Sequence, residues 1–210
     1  MQILLIRHAQ SKGNETSTVQ GQTDTGLSEL GKEQAKLLSE HFKTGDIKVI
    51  YTSDLERTVE TAKPTAKKLN LEIITDADLR EAHFGLWEGM TYKEVGEKYP
   101  GEYFAWHINY YERPSWFESF ESHQKRTRRA IEKILLQHSP KDTIAVFTHG
   151  GNIKTQVGYF MKLTGINLTT FTTKNCSLTL FKFNPTTKYE EGKLIYYNKD
   201  VINIAVQREL

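Results

Sequence analysis

The sequence predicts an α/β fold: a three-layer α/β/α sandwich with a mostly parallel central sheet and a small inserted helical cap. Three observations predict it. The strand-like run Gln2-Ile3-Leu4-Leu5-Ile6 ends directly on Arg7-His8, and a second run, Thr143–Phe147, ends on His149-Gly150-Gly151. Between these runs strand-like and helix-like patterns alternate, which is the signature of a sheet covered on both faces. Residues 100–117 stand apart, carrying Tyr103, Phe104, Trp106, Tyr110, Tyr111, Trp116 and Phe117 among few aliphatics, and read as the cap.

The elements follow in order. After the first strand, Leu30, Leu37, Leu38 and Phe42 fall at helical offsets behind Ser28, a natural N-cap, and Gly45 closes the segment. Lys48–Thr52 reads as the next strand. Leu55, Val59, Ala62, Ala66 and Leu69 repeat at helical spacing, with Ser53 as the expected N-cap and Pro64 expected to kink or interrupt the helix by removing a backbone donor. Leu71–Ile74 is a short strand, residues 91–99 a short helix, and Phe120, Thr127, Ala130, Ile131, Ile134 and Leu135 mark a long helix ending near His138. Ile153, Val157 and Phe160 mark a further helix. Strands at about 176–183 and 193–198 are separated by a turn around Asn184-Pro185. The whole is expected to be one domain, residues 1–210, with the cap inserted at about 90–120.

The bulk numbers exclude several classes. With 28 basic and 26 acidic side chains the net charge is +2, spread along the chain, which favours neither nucleic acid nor a membrane surface. Met1 leads almost at once into a strand, without a basic n-region and apolar h-region, and no apolar stretch is long enough to span a bilayer, so a cytoplasmic protein is expected. The one cysteine, Cys176, precludes an internal disulfide and reads as a small buried hydrophobe. The seven histidines include no His-Glu-x-x-His and no close pair, so no metal site is expected, and there is no Walker-type nucleotide loop. The run Lys125-Arg126-Thr127-Arg128-Arg129 reads as a solvated helix face.

In open α/β sheets ligands bind beyond the carboxyl ends of strands, so His8 and His149 propose one site built from opposite ends of the chain. Arg7 beside His8 makes an anion the expected ligand. Arg57 adds to this. In the first turn of its helix a cation opposes the helix dipole at a cost of about 0.3–1 kcal/mol, which a bound anion offsets; a surface pair with Asp54 or Glu60 is the alternative.

With these positions in hand, Leu5-Ile6-Arg7-His8-Ala9-Gln10-Ser11-Lys12-Gly13-Asn14 resembles the opening signature of the histidine phosphatase superfamily, also called phosphoglycerate mutase-like. Residues 21–31, Tyr51-Thr52-Ser53-Asp54-Leu55-Glu56-Arg57-Thr58, residues 79–89 and Phe147-Thr148-His149-Gly150-Gly151 look like the family's later segments, in its order and spacing. The resemblance implies that His8 is the nucleophile and forms a phosphohistidine. It implies that Arg7, Arg57 and His149 surround the transferring phosphoryl group, with Asn14 and the Gly150 amide as neutral donors, and that Glu81 is the general acid and base. Pairing with Arg80 is the alternative for Glu81, and His83 is a rival acid. Glu88 is expected to support the loop. No cofactor and no metal are implied. Two positions depart from the family pattern: Ala9 stands where glycine is usual, which costs little if its φ is negative, and Phe117 replaces the glycine of a Gly-Glu-Ser…Arg segment, leaving Glu118 and Arg126 as supporting candidates.

A mutase of this family needs extra basic residues in its cap, whereas Arg113 is the only Lys or Arg between Lys98 and Lys125. The segment Phe84–Gly89 followed by Tyr92 looks like the phosphatase branch, which includes α-ribazole phosphatase and broad-specificity phosphatases. The expectation is a phosphomonoesterase acting on a small-molecule phosphomonoester, compatible with a homodimer. A cofactor-dependent phosphoglycerate mutase is the runner-up. An inactive phosphate-binding or interaction module is the third reading, against which the intact His8, Glu81 and His149 argue.

Overall fold

A computed structural model describes residues 1–163, 165–184 and 192–202. In chain order the elements are β1 (Gln2–Arg7), α1 (Lys12–Glu15), α2 (Glu29–Glu40), β2 (Val49–Thr52), α3 (Glu56–Leu69), β3 (Ile73–Thr75), α4 (Tyr92–Lys98), α5 (Pro100–Ile108), α6 (Phe120–Gln137), β4 (Thr143–Thr148), α7 (Gly150–Met161), α8 (Gly165–Thr169), β5 (Leu178–Lys182) and β6 (Lys193–Lys199). The expected turn at Asn184-Pro185 runs into residues outside those described.

The six strands lie in the order β3-β2-β4-β1-β5-β6. The first four are mutually parallel, and β5 and β6 are antiparallel to their neighbours. Period-2 alternation sends side chains to opposite faces, and β1 and β4 show the consequence. Leu4, Ile6, Ala145 and Phe147 join Ala35 and Leu38 of α2 and Ala62, Ala66 and Leu69 of α3 in one buried cluster. Ile3, Leu5, Ile144 and Val146 join Ala130, Ile131 and Ile134 of α6 and Ile153 and Val157 of α7 in another. These are the two outer layers of the sandwich. A third cluster, around Trp87, gathers Phe84, Phe117, Val95 and the partly buried Tyr99, Tyr103, Trp106 and Trp116, so most of the aromatic residues of 100–117 pack on one another and on the 82–95 segment.

Several local expectations change. The buried face of α2 is Gly31, Gln34, Ala35, Leu38 and Ser39, and Leu37 points to solvent. The helix is rotated because Gly31 rides on the backbone of the first loop: a Cβ there would stand 1.9 Å from the Gln10 carbonyl oxygen. The α3 helix passes through Pro64 unbroken; its buried Ala62, Thr65, Ala66 and Leu69 hold it to the core on both sides of the proline. Its N-cap is Leu55, without a side-chain cap, because Ser53 instead accepts from the Leu55 N–H at 3.3 Å. Residues 100–108 form a helix that aliphatic periodicity does not reveal, opened by Pro100 at its first position, where the missing N–H costs nothing. Cys176 is free and buried, as expected.

Gly31→Ala is expected to lower stability by about 1–3 kcal/mol through overpacking, read as a fall in the urea midpoint; an unchanged midpoint would remove the close approach as the reason for this glycine.

Candidate active site

The parallel pairing of β1 with β4 aligns Arg7 with Thr148, and the His8 N–H donates to the Thr148 carbonyl at 2.9 Å. Both strands stop at the same edge. The imidazoles of His8 and His149 therefore face each other with ring centroids 5.3 Å apart, both buried. His8 Nδ1 lies 2.7 Å from the Ala9 carbonyl oxygen. A carbonyl only accepts, so Nδ1 carries the proton and Nε2 keeps its lone pair. Ala9 is not among the residues with positive φ, and its N–H donates to Thr61 Oγ1 at 2.9 Å, so alanine fits here without strain.

Arg57 is 1% exposed and sits in the first turn of α3. Neither Asp54 nor Glu60 pairs with it: Asp54 takes Arg80 bidentately at 2.7 and 2.5 Å, and Glu60 accepts the Leu27 N–H. The loop 21–24 clamps it instead. Its terminal nitrogens donate to the carbonyls of Thr23 (2.9 Å) and Gly21 (2.7 Å), and to Asp24 Oδ1 at 3.3 Å. The same Asp24 carboxylate accepts the Glu56 and Arg57 N–H groups, so an acid from a distant loop caps α3 and offsets both the helix dipole and the cation. Among the described residues Arg57 Nε has no protein partner, nor has Arg7 Nε or either ring nitrogen of His149. Buried donors without partners cost about 1–3 kcal/mol each, so this grouping is a cost that an anion would relieve. Arg7 donates through its terminal nitrogen to the Thr173 carbonyl and lies against Gly150. Asn14 accepts from Ser11 N–H and Asn175 Nδ2 with its carbonyl oxygen, which leaves its Nδ2 as the donor; Asn175 also holds the His8 carbonyl at 2.9 Å.

Burial lowers the pKa of His8 well below the ordinary histidine value, and Arg57 and Arg7 lower it further; the Ala9 hydrogen bond acts the other way. His149 is lowered in the same manner, first by burial and then by Arg57 and His8. Both are therefore neutral at neutral pH.

Glu81 stands at the N-terminus of α7. One carboxylate oxygen accepts the Gly151 N–H at 2.9 Å and the other the Ala82 N–H at 2.9 Å. A side chain at position 151 would leave no room, since its Cβ would fall 2.2 Å from Glu81 Oε1 and 2.8 Å from the Tyr110 hydroxyl. Arg80 is occupied by Asp54, so it does not hold Glu81. The His83 side chain is 52% exposed and 3.8 Å from Glu88, and it does not line the cavity that Glu81 and Phe84 line. Arg126 is turned inward, unlike the solvated face expected of its basic run. It meets Glu118 bidentately at 2.7 Å and donates to the carbonyls of Asp78, Arg80 and Glu81, which fixes the chain that presents Glu81. Behind Glu81, His123 Nε2 lies 3.9 Å from its carboxylate and donates to the Asn152 side-chain oxygen Oδ1. Glu88 supports the loop as expected, accepting from the N–H groups of Gln22, Thr23 and Phe84.

Arg7, Glu81, Gly150, Gly151, Tyr92, Trp106, Tyr110 and Lys154 are among the residues that line a cavity of about 180 Å³. The sequence does not reveal Asp24, whose role is visible only once loop and helix meet, or Lys154, which reaches the cavity from α7 and not from the cap. Among the described residues no group of three or more His, Cys, Asp or Glu could hold a metal ion, and no helix is long and apolar enough to cross a membrane.

Residues 3–192 match the model of the histidine phosphatase superfamily (branch 1), and the chain belongs to that family. Phosphoserine phosphatase 1 of Hydrogenobacter thermophilus is 34% identical over 181 residues, 84% of this chain and 82% of that protein. The metal-independent phosphoserine phosphatase of Arabidopsis thaliana is 36% identical over 157 residues, 73% of this chain and 66% of that protein. Among solved structures, mycobacterial glucosyl-3-phosphoglycerate phosphatase complexed with VO3 superposes with a TM-score of 0.85 at 28% identity, covering 95% of this chain and 99% of that one.

Three buried histidines, His8, His123 and His149, have lowered pKa values in the folded chain. Below pH about 6.5 the unfolded chain takes up protons that the folded chain refuses, so stability falls with pH, each histidine adding a slope of about 1.4 kcal/mol per pH unit until its folded pKa is reached. Urea midpoints are expected to drop steeply from pH 7.5 to 5.5 and to recover part of the loss with inorganic phosphate; a flat profile would contradict the neutral state of these rings.

Proposed function

We propose that this chain is a phosphomonoesterase that works through a phosphohistidine on His8, with Glu81 as general acid and base. The observation that carries the reading is the state of His8: its Nδ1 proton is held by the Ala9 carbonyl, which leaves the Nε2 lone pair free beside donors of Arg7, Arg57 and His149 that have no protein partner among the described residues.

In the first displacement Nε2 attacks phosphorus in line with the ester oxygen, the P–O bond breaks, and the leaving oxygen takes a proton from Glu81. In the second, water attacks phosphohistidine, gives its proton to Glu81, and the P–N bond breaks to release phosphate and restore His8. The phosphoryl transition state is loose and carries its charge on the equatorial oxygens. Arg7 Nε, Arg57 Nε, a His149 nitrogen, the Asn14 amide and the Gly150 N–H are the donors for that charge. Their value comes from being fixed beforehand. The Thr173 carbonyl orients Arg7, and the 21–24 loop orients Arg57, so little reorganisation is left for the reaction itself. No step requires a metal or cofactor.

The names of the relatives make phosphoserine the first substrate to test. Rapid quenching with radiolabelled phosphoserine or an aryl phosphate is expected to leave acid-labile label on the wild-type protein and none on His8→Ala. Sustained phosphate release without label on the protein would refute the phosphohistidine, and isomerisation of phosphoglycerate without net phosphate release would point to the mutase. Arg57→Ala is expected to lower kcat/KM by about 10²–10³-fold, as when one oxyanion donor is removed; near-normal turnover would cancel its role. Glu81→Gln is expected to slow esters with leaving groups of high pKa more than activated aryl esters, and an equal loss across both would contradict proton donation.

A further inference from the structure

Glu81 is carried by a stretch that no ladder or helix holds. Residues 80–84 lie between one short helical turn, Ala77–Leu79, and the next, Gly85–Trp87, and belong to neither helix nor strand. Side chains take over that task. Every carbonyl from Asp78 to Glu81 accepts a side-chain hydrogen bond: Arg126 of α6 holds those of Asp78, Arg80 and Glu81, and Asn152 of α7 holds that of Leu79 at 2.5 Å.

The Asn152 bond belongs to a directed chain. Its Nδ2 also donates to Thr148 Oγ1 at 2.7 Å, and the Thr148 hydroxyl donates to the same Leu79 carbonyl at 2.9 Å. Since both Nδ2 protons are used there, Oδ1 is left to accept, and its donor is His123 Nε2. The tautomer follows: Nε2 carries the proton, and Nδ1 keeps a buried lone pair with no partner among the described residues. A buried polar atom without a partner costs about 1–3 kcal/mol. The fold carries that cost in a fully buried ring, three residues before Arg126 on the same face of α6.

The task of Glu81 accounts for an imidazole as the donor. His123 Nε2 lies 3.9 Å from Glu81 Oε1, too far for a hydrogen bond and close enough for a full charge to act on the carboxyl. A cation in this place would hold Glu81 ionised and keep it from giving a proton to a leaving oxygen. Burial first, then Arg126 and Arg113, press the ring toward its neutral form, against the Asn152 bond. The neutral ring supplies a donor without a charge.

Resting on the reading of Glu81 as general acid and base, we infer that His123 is a positioning residue for it: through Asn152 it ties the Leu79 carbonyl to the end of β4, and so sets where the Glu81 carboxyl stands relative to His8 and His149. His123 does not line the cavity and acts through Glu81.

The test compares kcat/KM for glycerol 3-phosphate, whose leaving group has a high pKa, with kcat/KM for 4-nitrophenyl phosphate, whose leaving group is activated. His123→Leu, its fold checked by circular dichroism, is expected to lower the alkyl-to-aryl ratio about ten-fold or more, a share of the roughly 10²–10⁴-fold that a positioned acid supplies. His123→Gln, whose amide is a neutral donor, is expected to recover most of it. Should His123→Leu fail to fold, His123→Leu/Asn152→Leu replaces both partners by apolar groups, which the fold tolerates better than one orphaned amide, and the same fall is expected. In a Glu81→Gln background His123→Leu is expected to leave the ratio where Glu81→Gln puts it. An unchanged ratio in the folded variants, an equal loss from both esters, no recovery in His123→Gln, or a further fall in the Glu81→Gln background would overturn the inference. A ratio that falls in Glu81→Gln and not in the His123 variants defeats this inference alone, whereas a ratio that Glu81→Gln itself leaves unchanged defeats the general-acid reading and the inference with it.

Discussion

One hydrogen-bonded register governs the rest of this molecule: the parallel pairing of the first strand with β4, which brings together residues that lie at opposite ends of the chain. Its last bond, from the His8 N–H to the Thr148 carbonyl, sets the depth at which both imidazoles leave the sheet. A slip of one residue would turn every side chain of β1 to the other face. Leu4 and Ile6 would then exchange clusters with Ile3 and Leu5, and His8 would no longer meet His149. The apolar core and the site are therefore specified by the same interaction.

The site that results is electrostatically unbalanced. One buried guanidinium, Arg57, one half-buried, Arg7, and two neutral imidazoles share one edge of the sheet, with Asp24 and Glu81 as the nearby acids. The fold tolerates this because both terminal nitrogens of Arg57 and one of Arg7 are spent on backbone carbonyls, and because Asp24 also caps α3. Among the described residues, what remains uncompensated there is confined to Arg7 Nε, Arg57 Nε and the ring nitrogens of His149. Local destabilisation of this kind is a common mark of sites shaped for a charged ligand.

Much of the architecture was legible because strands that are buried on both faces must be continuously apolar, and the runs ending on His8 and His149 are. Of the candidate site residues, Arg7, His8, His149 and Arg57 were legible because they stand at the ends of those runs or in the first turn of a helix, whereas Glu81 and Asn14 came from the resemblance to the family alone. What escaped was whatever depends on contacts between loops. Asp24 looks like any loop acid until it is seen at the head of α3. Helix α5 presents aromatics, without aliphatic periodicity, to a cluster built from several segments, and none of its residues is fully buried. The rotation of α2 was hidden because the decisive contact is a backbone oxygen, which no hydrophobic pattern records.

Glu88 carries a consequence beyond its loop. Its carboxylate takes N–H groups from Gln22 and Thr23 on one side and from Phe84 on the other, and Gln22 in turn donates to the Glu81 carbonyl at 3.2 Å. The turn that immobilises Arg57 and the strip that carries Glu81 are thereby pinned as one rigid piece. Arg57 and Glu81 cannot shift independently when their supports share one carboxylate, so a substitution of Glu88 would disturb the placement of both together.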